Sequence, residues 1–380
     1  MQFFKHIKNV LALLQLPADQ RRLTFYSEGK NYWPHLEGLI REVLKTSDIH
    51  ICYISSGPDD PGLELSHPNF HAFKIDEGVI RNWLFANIET EVMVMTMPDL
   101  HQYQVKRSKH KVHYVYVQHS LVSLHMIYRK GAFDHYDTIF CAGPHHVKEI
   151  RAMEEKYNLP KKNLVEHGYS RLDAIIEEAE KRPKVDKQGN KKNHYLLAPS
   201  WGEKCTIESG IGAKLVDELI SQGHKVTLRP HPQTIKFAKA KVDEIVSKHN
   251  NSELFEFESN VVGQESLHNS DIMICDWSGA ALDYAFGLNK MVLFVDLPKK
   301  INNKSYCELE IEPFEVSIRE EIGEVIDLSE ILNLDTFFEK MKEKIIHSNA
   351  HTFNLQKSNS IGSSKLKEIL NDVSFYSRIL

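Results

Sequence analysis

The chain has 380 residues, of which 42% are hydrophobic and 26% are charged, a composition typical of an ordinary globular protein with room for two domains. Its formal net charge of −5 gives no general attraction for nucleic acid, so a nucleic-acid partner is not expected. The five cysteines form no CxxC pair and the 21 histidines show no metal-ligand spacing, which favours free thiols in a reducing compartment and predicts no metal site.

Residues 1–16 have the apolar spacing of an amphipathic helix. Its predicted apolar face contains six side chains, Phe3, Phe4, Ile7, Val10, Leu11 and Leu14. Such a helix packs on the protein body or on a second copy, or it lies on a membrane surface, and the spacing leaves these alternatives and the oligomeric state open. No run is long and apolar enough to cross a membrane and no cleavable signal pattern is seen. We therefore expect a cytoplasmic protein, with peripheral attachment to the inner face of the cell membrane left open.

Predicted strands and helices alternate through the first half of the chain. The predicted strands cover residues 23–26, 49–54, 72–75, 92–95, 112–117 and 138–141. The predicted helices cover residues 35–44, 78–85 and 145–156. This order is typical of a doubly wound α/β domain with a parallel sheet, and it predicts an N-terminal Rossmann-like domain over residues 1–180.

The strand at 112–117 ends in Gln118, His119 and Ser120. Open α/β sheets bind their ligands at the carboxyl ends of their strands, and a neutral imidazole can accept a proton near pH 7. His119 is therefore a candidate general base, and its position fits a structural histidine equally well. The basic stretch before it, residues 103–113, fits a solvated surface or a patch for an anionic acceptor or acidic lipid headgroups.

Residues 164–173 have the pattern of a short strand, a glycine turn and the start of a helix. Gly168 is the turn residue, and Arg171 and Asp173 open the helix. A local ion pair between Asp173 and Arg171 is one interpretation of this pattern, and it needs no ligand.

Residues 177–193 are polar and charged and lack apolar periodicity, so they are predicted to be a linker. A second Rossmann-like domain over residues 194–345 is predicted from renewed alternation, followed by helices over residues 346–380 that cross back to the first domain. The predicted strands of this half cover residues 194–198, 224–228, 254–257, 272–275 and 291–295, and the clearest helices cover residues 211–222 and 280–288.

Two loops of the second half carry candidate ligand-binding side chains. The strand at 224–228 leads into Arg229-Pro230-His231-Pro232, where two prolines stiffen a loop that presents two cationic donors to phosphate oxygens. The strand at 194–198 leads into Ser200 and Trp201.

Residues 270–298 predict a strand, a small polar turn, a helix and a second strand. The turn at 276–279 places Ser278 and Gly279 at a helix N-terminus, where backbone N–H groups and the helix dipole favour an anion such as phosphate. Ser278 capping the helix with its hydroxyl is an equally good interpretation that needs no ligand.

These segments, taken together and in this order, resemble the CDP-glycerol glycerophosphotransferase family of teichoic-acid primases and polymerases. They are QHS at 118–120, HGYSRLD at 167–173, APSW at 198–201, RPHP at 229–232 and SDIMICDWSGAALDYA at 270–285. The resemblance extends from about residue 112 to residue 295. It implies the GT-B fold, two facing Rossmann-like domains with parallel sheets, the first for the acceptor and the second for the nucleotide donor.

The resemblance also implies residue roles. His119 corresponds to the base on the acceptor hydroxyl, and His231 is the second catalytic candidate. The residues implied in donor binding are Ser200, Trp201, Arg229, His231, Asp276, Ser278 and Gly279. Those implied in supporting the site are Gly168, Arg171 and Asp173.

The sequence departs from the family pattern at several of these positions. The family's His-Gly is His119-Ser120 here, and Gly279 stands where the family has a second Ser. Ser200 and Trp201 stand where the family has a Thr-aromatic pair, and Gly202 replaces an Arg that often follows that pair. Ser170 replaces a Pro. These differences leave the exact donor and acceptor open.

The resemblance implies transfer of glycerol phosphate, or a related alditol phosphate, from a CDP-activated donor. The expected acceptor is a hydroxyl of a polysaccharide or a lipid-linked, teichoic-acid-like chain, and neither a metal nor another cofactor is expected. One alternative is a GT-B glycosyltransferase that uses a nucleotide sugar in capsule or lipopolysaccharide synthesis. Others are a nucleotide-sugar 2-epimerase and a non-catalytic protein that binds nucleotides or carbohydrates.

Overall fold

The computed structural model describes residues 2–76, 78–183, 193–260, 262–327 and 357–379. The chain divides into two compact units. Unit 1 consists of Met1–Ala174, Asn302–Ile311 and His351–Leu380, and unit 2 consists of Ile175–Ile301 and Glu312–Ala350. None of the helices in the described ranges is long and apolar enough to cross a membrane.

The described part of unit 1 contains a seven-stranded parallel sheet. Its strands are β1 (Leu23–Ser27), β2 (Ile51–Ser55), β3 (Phe70–Lys74), β4 (Val92–Met95), β5 (His113–Val117), β6 (Thr138–Cys141) and β7 (Asn163–Glu166). The strand order is β3-β2-β1-β4-β5-β6-β7. The order of the strands reverses between β1 and β4, and the carboxyl ends beside such a reversal are where open α/β sheets bind ligands.

Helices cover both faces of this sheet. They are α1 (Gln2–Gln15), α2 (Trp33–Thr46), α3 (Val79–Asn87), α4 (Leu124–Ile127) and α5 (Pro144–Lys156), with short 3-10 helices at Ala18–Arg21 and Pro61–Glu64. The next helix, α6 (Ser170–Lys181), begins in unit 1 and ends in unit 2. Successive strand residues point to opposite faces, so Phe25 packs with Leu36 of α2 while Tyr26 contacts Phe85 of α3 at a centroid distance of 4.9 Å. Because both faces are covered, the strands are nearly continuous runs of apolar residues.

Unit 2 contains a six-stranded parallel sheet in its described part, with strand order β10-β9-β8-β11-β12-β13. Its strands are β8 (His194–Leu197), β9 (Lys225–Leu228), β10 (Phe255–Phe257), β11 (Ile272–Cys275), β12 (Val292–Val295) and β13 (Gly323–Ile326). Its helices are α7 (Ile211–Ser221), α8 (Pro232–Phe237), α9 (Lys239–His249), α10 (Glu265–Asn269), α11 (Ala280–Leu288), α12 (Phe314–Ser317) and α13 (Arg319–Ile322). Here the strand order reverses between β8 and β11, which places another ligand-binding edge beside residues 198–201 and 276–279.

The last described helix, α14 (Ser358–Ile379), belongs to unit 1. Leu366, Ile369 and Leu370 are buried in the same core as Leu36 and Leu39 of α2. Burial of each such side chain is worth about 1.5–3 kcal/mol, so α14 is a substantial part of the unit 1 core.

The segment Asn302–Ile311 also belongs to unit 1, although the sequence predicts it to be part of the second domain. It contains a 3-10 helix at Tyr306–Leu309. The side-chain amides of Asn302 and Asn303 donate to the carbonyls of Ile127 and His125 at 2.8 and 2.9 Å, which ties the segment to α4.

Two predictions about local structure need correction. The predicted linker at 177–193 begins too early, because α6 remains helical to Lys181; residues 184–192 lie outside the described ranges. The six apolar residues of α1 do not share one buried face. Val10 and Leu13 are buried, whereas Phe3, Phe4 and Leu11 are exposed by 55%, 75% and 52%.

The basic stretch at 103–113 contains one structural cation. Arg107 pairs with Asp137 at 3.0 Å, and its guanidinium lies 4.6 Å from the ring centroid of Tyr114. Lys109 and Lys111 are exposed, as expected for a solvated surface.

Candidate active site

His119 lies just beyond the carboxyl end of β5, among aromatic side chains. Its Nδ1 is 3.0 Å from the hydroxyl of Tyr116 and its Nε2 is 3.3 Å from the hydroxyl of Tyr128. Tyr32 and His35 meet the ring roughly edge-on, with centroids 5.7 and 6.0 Å away. These contacts hold the imidazole in a defined orientation at the edge of the sheet.

The surroundings of His119 keep its imidazole neutral. Burial lowers the pKa of His119 to about 4, with a hydrogen bond to the backbone of Thr96 acting in the opposite direction. The residue is only half-buried, and the hydroxyl of Tyr169 donates to its carbonyl at 3.0 Å. A neutral, oriented imidazole at this edge can accept a proton from a hydroxyl group.

Several buried polar atoms near this edge have no hydrogen-bond partner among the described residues. They are both amide atoms of Gln118, Oγ1 of Thr96, Nδ1 of His35 and Oγ of Ser170. Gln118 directly precedes His119, and Thr96 directly follows β4, the strand that pairs with β5. Buried polar atoms are nearly always hydrogen-bonded, so such a group indicates a place that water or a polar ligand fills. Gln118 and Ser170 lie in two of the motif segments, QHS and HGYSRLD, whereas no sequence signal marked Thr96 or His35.

The three residues predicted to support this site, Gly168, Arg171 and Asp173, act in different ways. Gly168 has φ of +92°, a conformation that side chains other than glycine rarely adopt. Burial lowers the pKa of His35 well below its usual value, and the charge of Arg171 adds to this shift. Asp173 accepts hydrogen bonds from the backbone N–H and the hydroxyl of Ser358, so it caps the start of α14.

In unit 2, Asp276 holds two loops together. Its Oδ1 accepts from the backbone N–H groups of Ser200 and Trp277 at 2.7 and 2.6 Å. Its Oδ2 accepts from the N–H and the hydroxyl of Thr206 at 2.9 and 2.8 Å. Asp276 is 1% exposed and Ser200 is also buried, with its hydroxyl 3.2 Å from Sγ of Cys205. Asp276 and Ser200, both predicted to bind the donor, are therefore each part of the hydrogen bonding that fixes their own loops.

His231 has a defined tautomer because it caps α8. The N–H of Gln233 donates to its Nδ1 at 3.1 Å, so the proton of the neutral ring is on Nε2, which becomes a hydrogen-bond donor. Burial lowers the pKa of His231 to about 4, and the positive charge of Lys300 adds to this effect while Asp276 opposes it. The ring stacks on Trp201, which is 37% exposed, with centroids 6.0 Å apart.

Arg229 is directed into the protein. It is 5% exposed, and its guanidinium donates to Ser266 Oγ at 2.9 Å and to the carbonyl of Gly263 at 3.0 Å. Oε2 of Glu258 lies 3.7 Å from it. The sequence did not predict this ion pair, which binds the guanidinium to the segment after β10 and gives its predicted contact with donor phosphate no geometric support.

The predicted anion position at the start of α11 has the expected backbone. Gly279 is the N-cap residue of α11 and the helix has no side-chain cap, whereas Ser278 Oγ accepts from the N–H of Ala280 at 3.3 Å within the turn that precedes the helix. The backbone N–H of Gly279 donates no hydrogen bond to any residue of the described ranges. A helix start of this kind can bind a phosphate group through backbone N–H groups.

The sequence interpretation missed Lys300, five residues after β12. Its Nζ lies 4.6 Å from the ring centroid of Trp201, and its charge reaches both His231 and Asp276. Trp201, His231, Asp276 and Lys300 are together called the unit 2 cluster below. Across the described residues, no group of three or more His, Cys, Asp or Glu side chains could hold a metal ion.

Solved structures with low sequence identity have the same fold. The wall teichoic acid polymerase TagF, in a structure with CDPG, is 16% identical with a TM-score of 0.59, over 99% of this chain and 98% of that one. The UDP-GlcNAc 2-epimerase of Methanocaldococcus jannaschii, in complex with UDP-GlcNAc and UDP, is 15% identical with a TM-score of 0.59, over 91% and 99%. MnaA of S. aureus, in a co-structure with UDP, is 11% identical with a TM-score of 0.59, over 94% and 97%. These likenesses confirm the predicted α/β fold of the GT-B class.

No curated protein sequence matches the chain significantly. One protein-family model matches the chain over residues 84–300, more than half of its length. The family is described as CDP-Glycerol:Poly(glycerophosphate) glycerophosphotransferase. The matched range contains His119 of unit 1 and the whole unit 2 cluster. The resemblance that the motifs indicated is thus confirmed, and the chain belongs to the CDP-glycerol:poly(glycerophosphate) glycerophosphotransferase family.

Proposed function

We propose that this transferase moves a glycerol phosphate group from CDP-glycerol to a hydroxyl group of a poly(glycerophosphate) or related teichoic-acid-like acceptor. The observation that carries the proposal is the family match over residues 84–300, which includes a neutral, oriented histidine in unit 1 and the unit 2 cluster. The proposal divides the reaction between these two sets of residues.

On the acceptor side, His119 accepts the proton of the attacking hydroxyl. The acceptor oxygen forms a bond to the phosphorus that carries glycerol, and the bond from that phosphorus to the bridging oxygen breaks. CMP leaves with the bridging oxygen and its electron pair. The hydrogen bonds of His119 to Tyr116 and Tyr128 support this role, because they orient the imidazole before the acceptor arrives.

The unpaired polar atoms around Gln118 support a polar acceptor. Gln118, Thr96 and Ser170 offer both donors and acceptors, as the hydroxyl groups of a polyol chain require. A buried polar atom without a partner costs about 1–3 kcal/mol, and a bound hydroxyl group would recover part of this free energy.

On the donor side, fixed hydrogen-bond donors stabilise the leaving phosphate. His231 presents an Nε2–H group, and the start of α11 presents the N–H of Gly279. Negative charge grows on CMP as the bond breaks, and donors already in position need no reorganisation at that moment. Because imidazole and backbone N–H groups bind phosphate oxygens directly, we propose a transfer that does not require a metal.

The proposal also places the exposed side chains of α1 on a membrane surface, where a lipid-linked acceptor would be found. Phe3, Phe4 and Leu11 are exposed apolar groups, and Lys5 and Lys8 on the same helix are exposed cations. The variant Phe3→Ala/Phe4→Ala is expected to lose binding to anionic phospholipid vesicles in a sedimentation assay. The variant Phe257→Ala, which removes an exposed phenylalanine of unit 2, is the control; equal binding by both variants would contradict this attachment.

Product analysis with a panel of donors tests the proposed reaction. CDP-glycerol, CDP-ribitol and UDP- and CMP-sugars are each incubated with the protein and a short poly(glycerophosphate) acceptor. We expect CMP and a lengthened acceptor from CDP-glycerol. Transfer of sugar from a nucleotide sugar would favour a glycosyltransferase, epimerised sugar nucleotide would favour an epimerase, and no turnover with any donor would favour a binding protein.

A further inference from the structure

We propose that Lys300 is a further donor-binding residue, whose ammonium group binds the diphosphate of the nucleotide donor. The inference rests on the proposed function, because that function supplies a diphosphate ligand. It assigns the positive charge of the donor site to Lys300, at the end of the family match, and not to Arg229.

The position of Lys300 supports this assignment. It lies in the loop that leaves the carboxyl end of β12, the strand that pairs with β11. Its ammonium group is over the indole ring of Trp201, and the imidazole of His231 stacks on the same indole. Lys300 and His231, whose Nε2–H is the hydrogen-bond donor, therefore both contact the indole of Trp201.

Lys300 has no polar partner in the structure as described. None of the ion pairs or hydrogen bonds of the described residues involves Lys300. Lys290 of the same unit, in contrast, donates to three backbone carbonyls, those of Leu267, His268 and Ser270. Arg229 is likewise bound to protein groups. Lys300 thus differs from both cations in keeping its hydrogen-bonding capacity for a ligand.

The electrostatic setting of Lys300 favours an incoming anion. Burial lowers the pKa of Lys300 below its usual value, and the nearby Cys205, Asp276 and Glu208 act in the opposite direction. A half-buried cation without an ion pair has lost part of its hydration and has gained no counterion in return. A diphosphate would supply that counterion, and it would also meet the Nε2–H group of His231. A perturbed, partly buried charge of this kind is characteristic of functional sites.

Titration calorimetry of the wild type and Lys300→Met with CDP-glycerol, CDP, UDP and cytidine tests the assignment. We expect the affinity for CDP-glycerol and CDP to fall about ten- to hundredfold, the range for losing a hydrogen bond to a charged group. Affinity for cytidine, which has no phosphate, should stay unchanged. Lys300→Arg should restore most of the diphosphate affinity, because it keeps the charge.

Lys299→Met is the matched control, since Lys299 is an exposed neighbour with the same charge. If the wild type binds CDP-glycerol and Lys300→Met binds it as tightly as Lys299→Met, the role of Lys300 is overturned and the proposed function stands. If the wild type prefers UDP over CDP, the proposed donor is wrong, and a selective loss of UDP affinity in Lys300→Met would still support the phosphate contact. A wild type that binds none of these diphosphates would overturn both.

Discussion

The imidazole of His231 stacks on the indole of Trp201, with centroids 6.0 Å apart and ring planes inclined by 29°. The same imidazole accepts the N–H of Gln233 through Nδ1. One contact fixes the plane of the ring and the other fixes its tautomer, so Nε2–H has a single direction in which to donate. The donor side of the proposed reaction depends on this arrangement.

His231→Asn separates the two roles of this histidine. Asparagine is a good N-cap, so the start of α8 and the melting temperature should be retained. The shorter side chain cannot present an N–H where Nε2 lies, and we expect CMP release to fall by about 100-fold or more, the loss typical when one fixed donor is removed. Transfer near the wild-type rate in a folded His231→Asn protein would remove His231 from the chemistry.

His119→Ala should abolish transfer and leave donor binding intact, because His119 belongs to unit 1 and the unit 2 cluster is built without it. The measurements are CMP release with acceptor present and titration calorimetry with CDP-glycerol. His110→Ala, at an exposed position of the same unit, is the control and should behave as the wild type. Retained turnover in His119→Ala would refute the role of general base.

Asp276→Ala should destabilise unit 2 by about 3–5 kcal/mol, since the loss of a buried carboxylate leaves its four donors unpaired. The free energy of unfolding is measured by urea denaturation. Asp243→Ala removes an exposed carboxylate paired with Lys239 and should change it by no more than about 0.5 kcal/mol. Similar values for the two variants would show that Asp276 does not hold the loops.

Stability should fall as the pH is lowered from 7 towards 4. Burial lowers the pKa of His119, His167 and His231 to about 4, whereas the unfolded chain keeps the ordinary value near 6.5. Between these values the unfolded state binds more protons than the folded state, so acid favours unfolding. The melting temperature measured from pH 7 to pH 5 should decline. The decline should be shallower in His231→Asn, and an equal slope in both proteins would contradict this assignment.

Gly362→Ala should destabilise unit 1 although alanine is the better helix former. A Cβ at this position of α14 would lie 2.7 Å from the ring of His167 and 2.8 Å from Cδ1 of Leu39. Overpacking of this kind costs about 1–3 kcal/mol, and thermal unfolding would measure it. Ser364→Ala, at an exposed position of the same helix, should be neutral or slightly stabilising. A Gly362→Ala protein as stable as the control would show that the helix can shift without loss.

Local sequence signals predicted the fold well where short apolar runs alternate with helices. The strand predicted at 92–95 is β4, and the helix predicted at 280–288 is α11. The predictions rest on burial and periodicity, which are properties of a few neighbouring residues. They were poorer where a boundary depends on the rest of the molecule, as at the end of α6.

The candidate site was predicted in part. His119 and His231 follow predicted strands, and their motifs resemble the family. The contact between Arg229 and Glu258 could not be predicted, because Glu258 lies in another strand–loop segment of the sheet. Lys300 was missed because it lies in a lysine-containing loop that is typical of a solvated surface, and only the fold brings Trp201 beneath it. The surroundings of Arg229 and Lys300 are formed by residues that are distant in sequence, so local patterns could not predict them.

The hydrogen bond that the N–H of Ser358 donates to the carboxylate of Asp173 joins two residues that are 185 positions apart in the sequence. During synthesis on the ribosome, all seven strands of the unit 1 sheet leave the ribosome before α14 has been made. The core of unit 1 therefore remains incomplete until the end of the chain is synthesised. The apolar surface of α2 that meets Leu366, Ile369 and Leu370 remains uncovered while the whole of unit 2 is translated. We expect nascent chains released before α14 to be the form that chaperones bind.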